Sequence, residues 1–503
     1  MTTPLASPEV VRLQAALRIL VAVSVVWVLK SALGLHSQTP FMCLLVSWAF
    51  LFFHKSPIRG RIYDVTAGSL LALTVTPIFL ALGAHTPMIA MVLVALFASM
   101  GFYVFDSHNR PLASVLFLFI SIPLLQCMIE TPTHLFHHWV NLILEEALTV
   151  SVCALIESSW PTHLKSTPNP MQPWCLRWTY NEASLQRSVR MFIGVLIAFW
   201  SSVVIPSAVA YQAALSLAVL SMQANAGQAF FRGVQRIQGA LLAGVACVVI
   251  VLLTYVFQSL FLFWAMFLFS IFLFSFLALG TERNSYLGMQ SAMVLMLLLL
   301  HSTSIAPNLE TLGLDYLRIG GIVEGAFIFW ALFSVLWPEH PDQRAYRLVG
   351  QMLSQGAACI RSVVMPTVGA ETVQVHDQKM QTTLTQAQLL VRDAGYMPDA
   401  LREQTISAAA FTHLDHLRQQ LVQLMTSAEG TVSLPKEVAY FLEKMLSVDL
   451  IAEATQTATL TALTVEETRV TSQFAHLTTE TERTVIQQYL DILQSMRAIR
   501  GGA

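Results

Sequence analysis

Apolar runs long enough to cross a membrane recur along the chain between residues 15 and 337 and then stop. A helix needs about 20 apolar residues to cross about 30 Å of hydrocarbon, so the pattern predicts about twelve transmembrane helices. The predicted spans lie near 15–34, 40–54, 66–84, 87–105, 111–128, 138–159, 190–208, 210–223, 238–257, 259–280, 286–302 and 316–337. Because the second and eighth runs are short, ten or eleven spans are alternative counts.

After residue 338 the pattern changes to polar sequence with apolar residues at helical spacing. The residues that carry this spacing are Leu401, Ile406, Ala410, Leu414, Leu417, Leu421, Val438, Phe441, Leu442, Met445 and Leu446. Breaks at Pro366, Pro398, Gly430 and Pro435 divide the segment. Such spacing is typical of amphipathic helices that bury one face, and we predict a helical domain of four or five helices over 339–503.

Composition supports a membrane protein and excludes some classes of function. Hydrophobic residues make up 55% of the 503 residues and charged residues 12%, about half the charged share of a soluble domain. With a net charge of −2, the chain lacks the basic field that binds nucleic acid. The sequence contains no nucleophile elbow, phosphate loop or HExxH motif, so we predict that it is not an enzyme.

Positive charge alternates between the predicted loops. Lys and Arg occur before span one, between spans two and three, between four and five, in the linker 161–188 and after spans eight and ten. The alternate loops carry none, and only Lys30 and Arg318 stand near the opposite span ends, where we expect them to snorkel. By the positive-inside rule, the N-terminus, the linker and the C-terminus are predicted to be cytoplasmic.

An internal repeat divides the membrane region. Leu13-Gln14-x3-Arg18 matches Leu185-Gln186-x3-Arg190, and Arg61-x6-Gly68 matches Arg232-x6-Gly239, in the same order and at nearly the same offset along the chain. Trp160-Pro161 and Trp337-Pro338 close the two segments. Because each repeat has six spans, an even number, both repeats begin on the cytoplasmic side. This predicts parallel repeats. The alternative is that Arg and Trp-Pro are common membrane-interface residues.

These features define the expected fold class: an all-α polytopic membrane protein with about twelve transmembrane helices in two parallel six-helix repeats and a C-terminal cytoplasmic helical domain. The predicted boundaries are 1–160 for the first repeat, 161–188 for the linker, 189–338 for the second repeat and 339–503 for the helical domain.

The segment Arg236-Ile-Gln-Gly239-Ala-Leu-Leu-Ala-Gly244 resembles the fusaric acid resistance family, as do the Arg-led opening spans and the Trp-Pro ends. The resemblance covers roughly residues 13–340 and implies a bacterial inner-membrane exporter, since that family includes aromatic acid exporters and membrane subunits of multidrug efflux pumps. The motif residues Arg61, Gly68, Arg232, Arg236, Gly239 and Gly244 are expected to have structural roles. The chain departs from the larger family members in its short linker and in Leu73, which stands opposite Gly244.

Three acids lie within predicted spans. Glu145 and Glu146 are in span six, and Glu324 occupies a similar depth in span twelve. An ionisable group at such depth is costly and marks a functional site by default, so we expect these residues to couple proton entry to substrate exit. The alternative is that they pair with a buried cation or a backbone donor and only orient helices. Arg318, close to Glu324, is a further candidate for attracting an anionic substrate.

The leading functional hypothesis is a proton-coupled exporter of aromatic or other amphipathic organic acids or toxic compounds. An anion channel related to plant malate channels, a drug exporter of the major facilitator type and a structural membrane protein are alternatives. Expected partners are an organic anion or drug-like substrate and membrane lipid, with a periplasmic adaptor subunit and a second copy of the chain as further candidates and no nucleic acid. We expect no cofactor and no metal, since His134, His137 and His138 lack other ligands at suitable spacing.

Overall fold

The computed structural model describes residues 8–35, 58–83, 86–108, 110–130, 135–160, 180–201, 207–223, 225–280, 282–300, 309–336, 341–364, 370–396 and 408–428, and five single positions after them. Over these residues the protein is 93% helical and contains no strand. The predicted all-helical class is therefore confirmed. The chain divides into two units, Met1–Gln223 with Phe231–Trp337 and Ala224–Phe230 with Pro338–Ala503.

The first unit contains the apolar helices. They are α1 (Pro8–Ala32), α2 (Ile58–Gly83), α3 (Pro87–Ser107), α4 (Pro111–Glu130), α5 (Leu135–Ser159), α6 (Glu182–Ser201), α7 (Ser207–Ser221), α8 (Ala226–Phe257), α9 (Leu260–Ala278), α10 (Glu282–Leu300) and α11 (Leu309–Val335). The first turn of α8 belongs to the second unit. The predicted span 40–54 lies outside the described residues.

Local sequence explains where several of these helices begin. Pro87 is the first residue of α3, a position where the missing N–H is no loss because no carbonyl is available to it there. At the start of α9 the Ser259 hydroxyl oxygen accepts a hydrogen bond of 3.2 Å from the Leu262 backbone N–H. A side-chain acceptor at this position satisfies one of the N–H groups left open at a helix start.

Six helical segments in the described part of the chain are long and apolar enough to cross a membrane. They are Glu9–Ala32, Met88–Ser107, Trp139–Ser159, Ala226–Phe257, Leu260–Ala278 and Leu317–Val335. Shorter apolar segments lie at Leu112–Ile122, Gln212–Ser221 and Asn284–Leu299. The prediction of several helices long and apolar enough to span a membrane is confirmed, and the count of twelve stays a prediction.

The outer surface of these helices is apolar. On α8 the exposed residues Leu241, Val245, Val249, Leu252 and Val256 recur at helical spacing and form a stripe along the helix. A continuous apolar stripe of this length is unfavourable in water but matches lipid. The inner faces pack on one another, since α4 contacts α2 and α3, and α7 contacts α6 and α11.

The second unit contains three amphipathic helices, α12 (Pro341–Val364), α13 (Ala370–Ala394) and α14 (Ala408–Ala428). Each contacts the other two. The predicted apolar face of α14 is confirmed, because Leu414, Leu417 and Leu421 are buried. The predicted helix around 438–446 lies outside the described residues.

One buried cation holds α14 to α13. Arg418 forms ion pairs with Asp377 of α13 and with Asp415 one turn away. Burial lowers the pKa of the Arg418 guanidinium, but hydrogen bonds and charges from Asp415 and Asp377 raise it by more. The net direction is upward, so this cation stays charged at every physiological pH.

Candidate functional site

A buried ion pair joins α1 to α5. The Lys30 ammonium lies 2.9 Å from Oε1 of Glu145, and the two residues are 5% and 1% exposed. The prediction that Lys30 snorkels is therefore wrong, because the α1 helix directs this side chain towards α5 and its acid. Glu145 is one of the predicted proton-coupling residues, and its charge is balanced by Lys30.

Glu146 has a different environment from its neighbour. Consecutive helical residues point about 100° apart, so Glu146 does not face Lys30 as Glu145 does. Its side chain is 8% exposed, and its Oε1 atom has no hydrogen-bond partner among the described residues. Ser69 of α2 lies beside this carboxyl group, although its hydroxyl makes no hydrogen bond within the described chain.

Glu324 of α11 is half-buried. Its Oε2 atom is shielded from solvent and has no hydrogen-bond donor in the part of the chain that the structure describes. The next residue, Gly325, lies against the Ala213 carbonyl of α7, and a Cβ built on it would be 2.8 Å from Cβ of Ser216. The absence of a side chain at Gly325 therefore lets α11 approach α7 closely.

The structure places the candidate acids in different helix clusters. Glu146 lies on α5, which packs against α1, α2 and α4, whereas Glu324 lies on α11, which packs against α6, α7 and α10. Arg318 is 6% exposed, so its side chain lies inside the protein, and its expected roles stay predictions. Arg318 has an interaction partner in the protein.

A single acid binds two arginines of the first half of the membrane region. Glu157 of α5 forms an ion pair with Arg18 of α1 through Oε2, and its Oε1 lies 3.4 Å from Nη2 of Arg61 on α2. Sequence reasoning identified Arg61 and missed Glu157. The available signal was that Glu157 is the acid nearest to the end of the predicted sixth span, on the side where Arg18 enters.

The two arginines that the predicted repeat aligns with Arg18 and Arg61 lie over aromatic rings. The Arg232 guanidinium carbon lies 4.9 Å from the centre of the Tyr286 ring, and that of Arg190 lies 4.0 Å from the centre of the Phe333 ring. Such cation–π contacts are favourable, by about 0.5–2 kcal/mol depending on burial. They leave the positive charge in place, since an aromatic ring carries no net charge.

Arg236, on α8 one turn after Arg232, is only 1% exposed. Its Nε donates to the Ser216 hydroxyl at 3.0 Å, and its Nη1 donates to the Tyr286 hydroxyl and to Oε1 of Gln290, both at 2.9 Å. No carboxylate binds Arg236 within the described residues. Sequence reasoning gave Arg236 only a structural role and missed its three partners, which lie on α7 and α10.

The motif glycines lie where helices come close together. A Cβ on Gly68 of α2 would lie 3.1 Å from the Ala113 carbonyl carbon of α4. A Cβ on Gly239 of α8 would lie 2.9 Å from the Leu287 carbonyl oxygen and from the Gln290 Cβ of α10. Gly244 is buried on the same helix. Close approach at Gly239 brings Gln290 within reach of Arg236.

Within the described residues, no group of three His, Cys, Asp or Glu side chains could hold a metal ion. His134 lies outside those residues. Compared with known proteins, the sequence matches no family model, and no curated protein matches it at a significant level.

Proposed function

We propose that the protein exports amphipathic organic acids, aromatic acids among them, across a bacterial inner membrane in exchange for protons. The observation that carries the proposal is Glu146, a buried carboxyl group in a membrane-spanning helix with one oxygen that has no partner among the described residues. An unpaired carboxylate in such surroundings costs several kcal/mol, roughly, unless it is protonated. Glu146 is therefore suited to take up and release a proton.

The neighbouring acids support this assignment by contrast. Glu145 is balanced by Lys30 at 2.9 Å, so its role is to hold α1 against α5. Glu324 in the second half has an oxygen without a donor in the described chain, as Glu146 does. We assign Glu146 and Glu324 as the pair of proton-exchanging groups, one in each half.

Twelve spans in two parallel repeats, with both termini in the cytoplasm, are part of the proposal. Packing between the halves supports it. Helix α1, the first predicted span of the first half, contacts α9, the fourth predicted span of the second half. Helix α6, the first predicted span of the second half, contacts α3, the fourth predicted span of the first half. The equivalent glycines Gly68 and Gly239 also contact residues at nearly equivalent places in the two halves, Ala113 and Leu287. A two-fold axis along the membrane normal would produce this pairing.

Membership of the fusaric acid resistance family is likewise proposed, on the Arg-led glycine motif of α8 and the Trp-Pro ends of both halves. A periplasmic adaptor subunit and a second copy of the chain are the proposed protein partners. Reporter fusions at Ser166 and Ala503 should report cytoplasm, and a fusion within 303–310 should report periplasm. A periplasmic C-terminus would contradict the even number of spans.

An anion channel is the second candidate, and Arg236 is the observation that favours it. A buried cation with only neutral partners in the described chain attracts anions whether or not protons move with them. The two candidates differ in energetics, because a channel moves anions only down their gradient.

Proteoliposomes with an imposed pH gradient test the proposed coupling. Glu146→Gln and Glu324→Gln preserve side-chain volume but remove titration, so both variants should lose uphill export. Counterflow, which needs no net proton movement, should persist. Glu182→Gln, which changes an exposed acid at the start of α6, serves as the control and should keep both activities.

Two results would contradict the coupling role. If each Gln variant loses uphill export and counterflow equally, the two acids are structural. If uphill export survives in both variants, protons move through other groups. Wild-type protein that carries anions only down their gradient would favour the channel.

A further inference from the structure

We infer that Arg236 binds the carboxylate of the exported acid, with Arg232 adding a second positive charge on the same face of α8. The inference rests on the proposed function for the class of substrate and assigns the residue that recognises it. Both arginines contact Tyr286, Arg232 through the ring and Arg236 through the hydroxyl group. Two cations one helical turn apart thus meet at one aromatic side chain.

The energetics of Arg236 favour the binding of an anion. Removing a guanidinium from water costs several kcal/mol, roughly, and hydrogen bonds to neutral groups recover only part of that cost. Elsewhere in the first unit, Arg18, Arg110 and Arg187 each bind an acid, namely Glu157, Asp64 and Asp106. Arg236 is the most deeply buried of these arginines, and its partners in the described chain are all neutral.

The first half shows that a charge is not needed here for packing. In the alignment of the two halves that places Arg61 opposite Arg232, Arg236 corresponds to Val65. Val65 is 0% exposed, so the same place in α2 is filled by a small apolar side chain. A buried arginine at the equivalent place in α8 therefore has a role other than filling space.

The position of Arg236 also suits a proton-coupled exporter. Ser216 of α7 accepts the hydrogen bond from Arg236 Nε and faces Gly325, the residue after Glu324. The proposed carboxylate site thus lies where α7 packs against α11, the helix that carries Glu324.

Equilibrium binding of radiolabelled benzoate to the purified full-length protein tests the inference. In a neutral detergent, benzoate should bind the wild-type protein, and benzamide, which has the same shape without the charge, should not displace it. Loss of a charge-assisted hydrogen bond should raise the Kd of Arg236→Gln by about 10- to 100-fold. Arg236→Lys keeps the charge without the planar fork and should show an intermediate Kd.

Controls separate binding from folding. Arg187→Gln removes a cation that lies 2.6 Å from Asp106, between α6 and α3, and should leave the Kd unchanged. Without ligand, Arg236→Gln should elute as a single species and keep a thermal midpoint close to wild type. If Arg236→Gln lowers the thermal midpoint as far as a variant that breaks a buried ion pair does, then Arg236 has a structural role. This result would overturn the inference.

Further outcomes decide between sources of the anion and between the two proposals. Displacement of benzoate by phosphatidylglycerol, but not by phosphatidylcholine, would assign Arg236 to a lipid phosphate and overturn the substrate role. A wild-type Kd in Arg236→Gln, or no benzoate binding by wild type, would also overturn it. Benzoate binding through Arg236 in a protein that fails the uphill export test would support this site while the proposed coupling fails.

Discussion

Several buried cations before residue 160 bind acids, and several after residue 181 have neutral partners, although Arg12 lies over the Phe276 ring and Arg187 binds Asp106. In the first half, Arg18 and Arg61 share the carboxylate of Glu157, and Lys30 binds Glu145. In the second half, Arg190 and Arg232 lie over aromatic rings and Arg236 donates to a serine, a tyrosine and a glutamine. When Trp160-Pro161 is aligned with Trp337-Pro338, the residues opposite Glu157 and Glu145 are Ser334 and Ile322.

Cations paired with acids and cations with neutral partners suit different roles, the first in supporting the fold and the second in binding a ligand. Ion pairs between helices hold α1, α2 and α5 in one arrangement, because breaking one leaves a buried charge without a partner. A cation such as Arg236, whose partners in the described chain are neutral oxygens, keeps its charge available to a ligand. In our proposal, the ion-paired helices α1, α2 and α5 form the scaffold and Arg236 binds the anion.

The largest effect is expected at Glu157. Glu157→Gln removes the charge shared by two buried arginines, so the free energy of unfolding should fall by about 3–5 kcal/mol. SDS titration of the purified protein in mixed micelles measures this change. Ser334→Ala, at the equivalent exposed position of the second half, should change stability by less than about 0.5 kcal/mol. Equal effects at both positions would remove the difference between the halves.

A double-mutant cycle at Lys30 and Glu145 tests whether this pair is structural. Lys30→Met alone should cost about 3–5 kcal/mol, since it leaves the buried Glu145 charge alone. Adding Glu145→Ile, which copies the buried Ile322 of the second half, should restore most of the loss. The same titration measures each variant, and additive losses would show that the two residues do not act as a pair.

Glycine substitutions test a feature that the predicted repeat assigns to both halves. Gly68→Ala and Gly239→Ala force a methyl group against a neighbouring helix, and each should cost about 1–3 kcal/mol. Gly320→Ala is the matched control, because a Cβ there has no neighbour within 4 Å, and it should be neutral or stabilising by up to about 1 kcal/mol. If only one of the two buried glycines is sensitive, the halves do not share this interface.

The smallest effect is expected at the ring beneath Arg190. Phe333→Leu keeps most of the apolar volume but removes the cation–π contact at 4.0 Å, so the loss should be about 1 kcal/mol. Unfolding in the same micelles provides the comparison with Glu157→Gln. A loss as large as that of Glu157→Gln would mean that a ring secures a cation here as firmly as an acid does.

The fold class could be read from the sequence because its signals are local. A membrane helix satisfies its backbone hydrogen bonds within one segment, so the apolar run 238–257 identifies α8, which begins earlier at Ala226, without knowledge of its neighbours. Helical spacing similarly predicted the buried face of α14 at Leu414, Leu417 and Leu421. In both cases the relevant residues are close together in the chain.

Pairing between charges was decided by the tertiary structure. Glu145 and Glu146 are consecutive in an apolar span and look equivalent in sequence, yet Lys30, 115 residues away, balances only the first. Arg236 reads as part of a glycine motif, and its partners on α7 and α10 lie 20, 50 and 54 residues away. The sequence by itself determined that these charges lie in long apolar helices. Which of them are neutralised depends on the rotation and packing of helices distant in the chain, because an electrostatic interaction depends on distance in space.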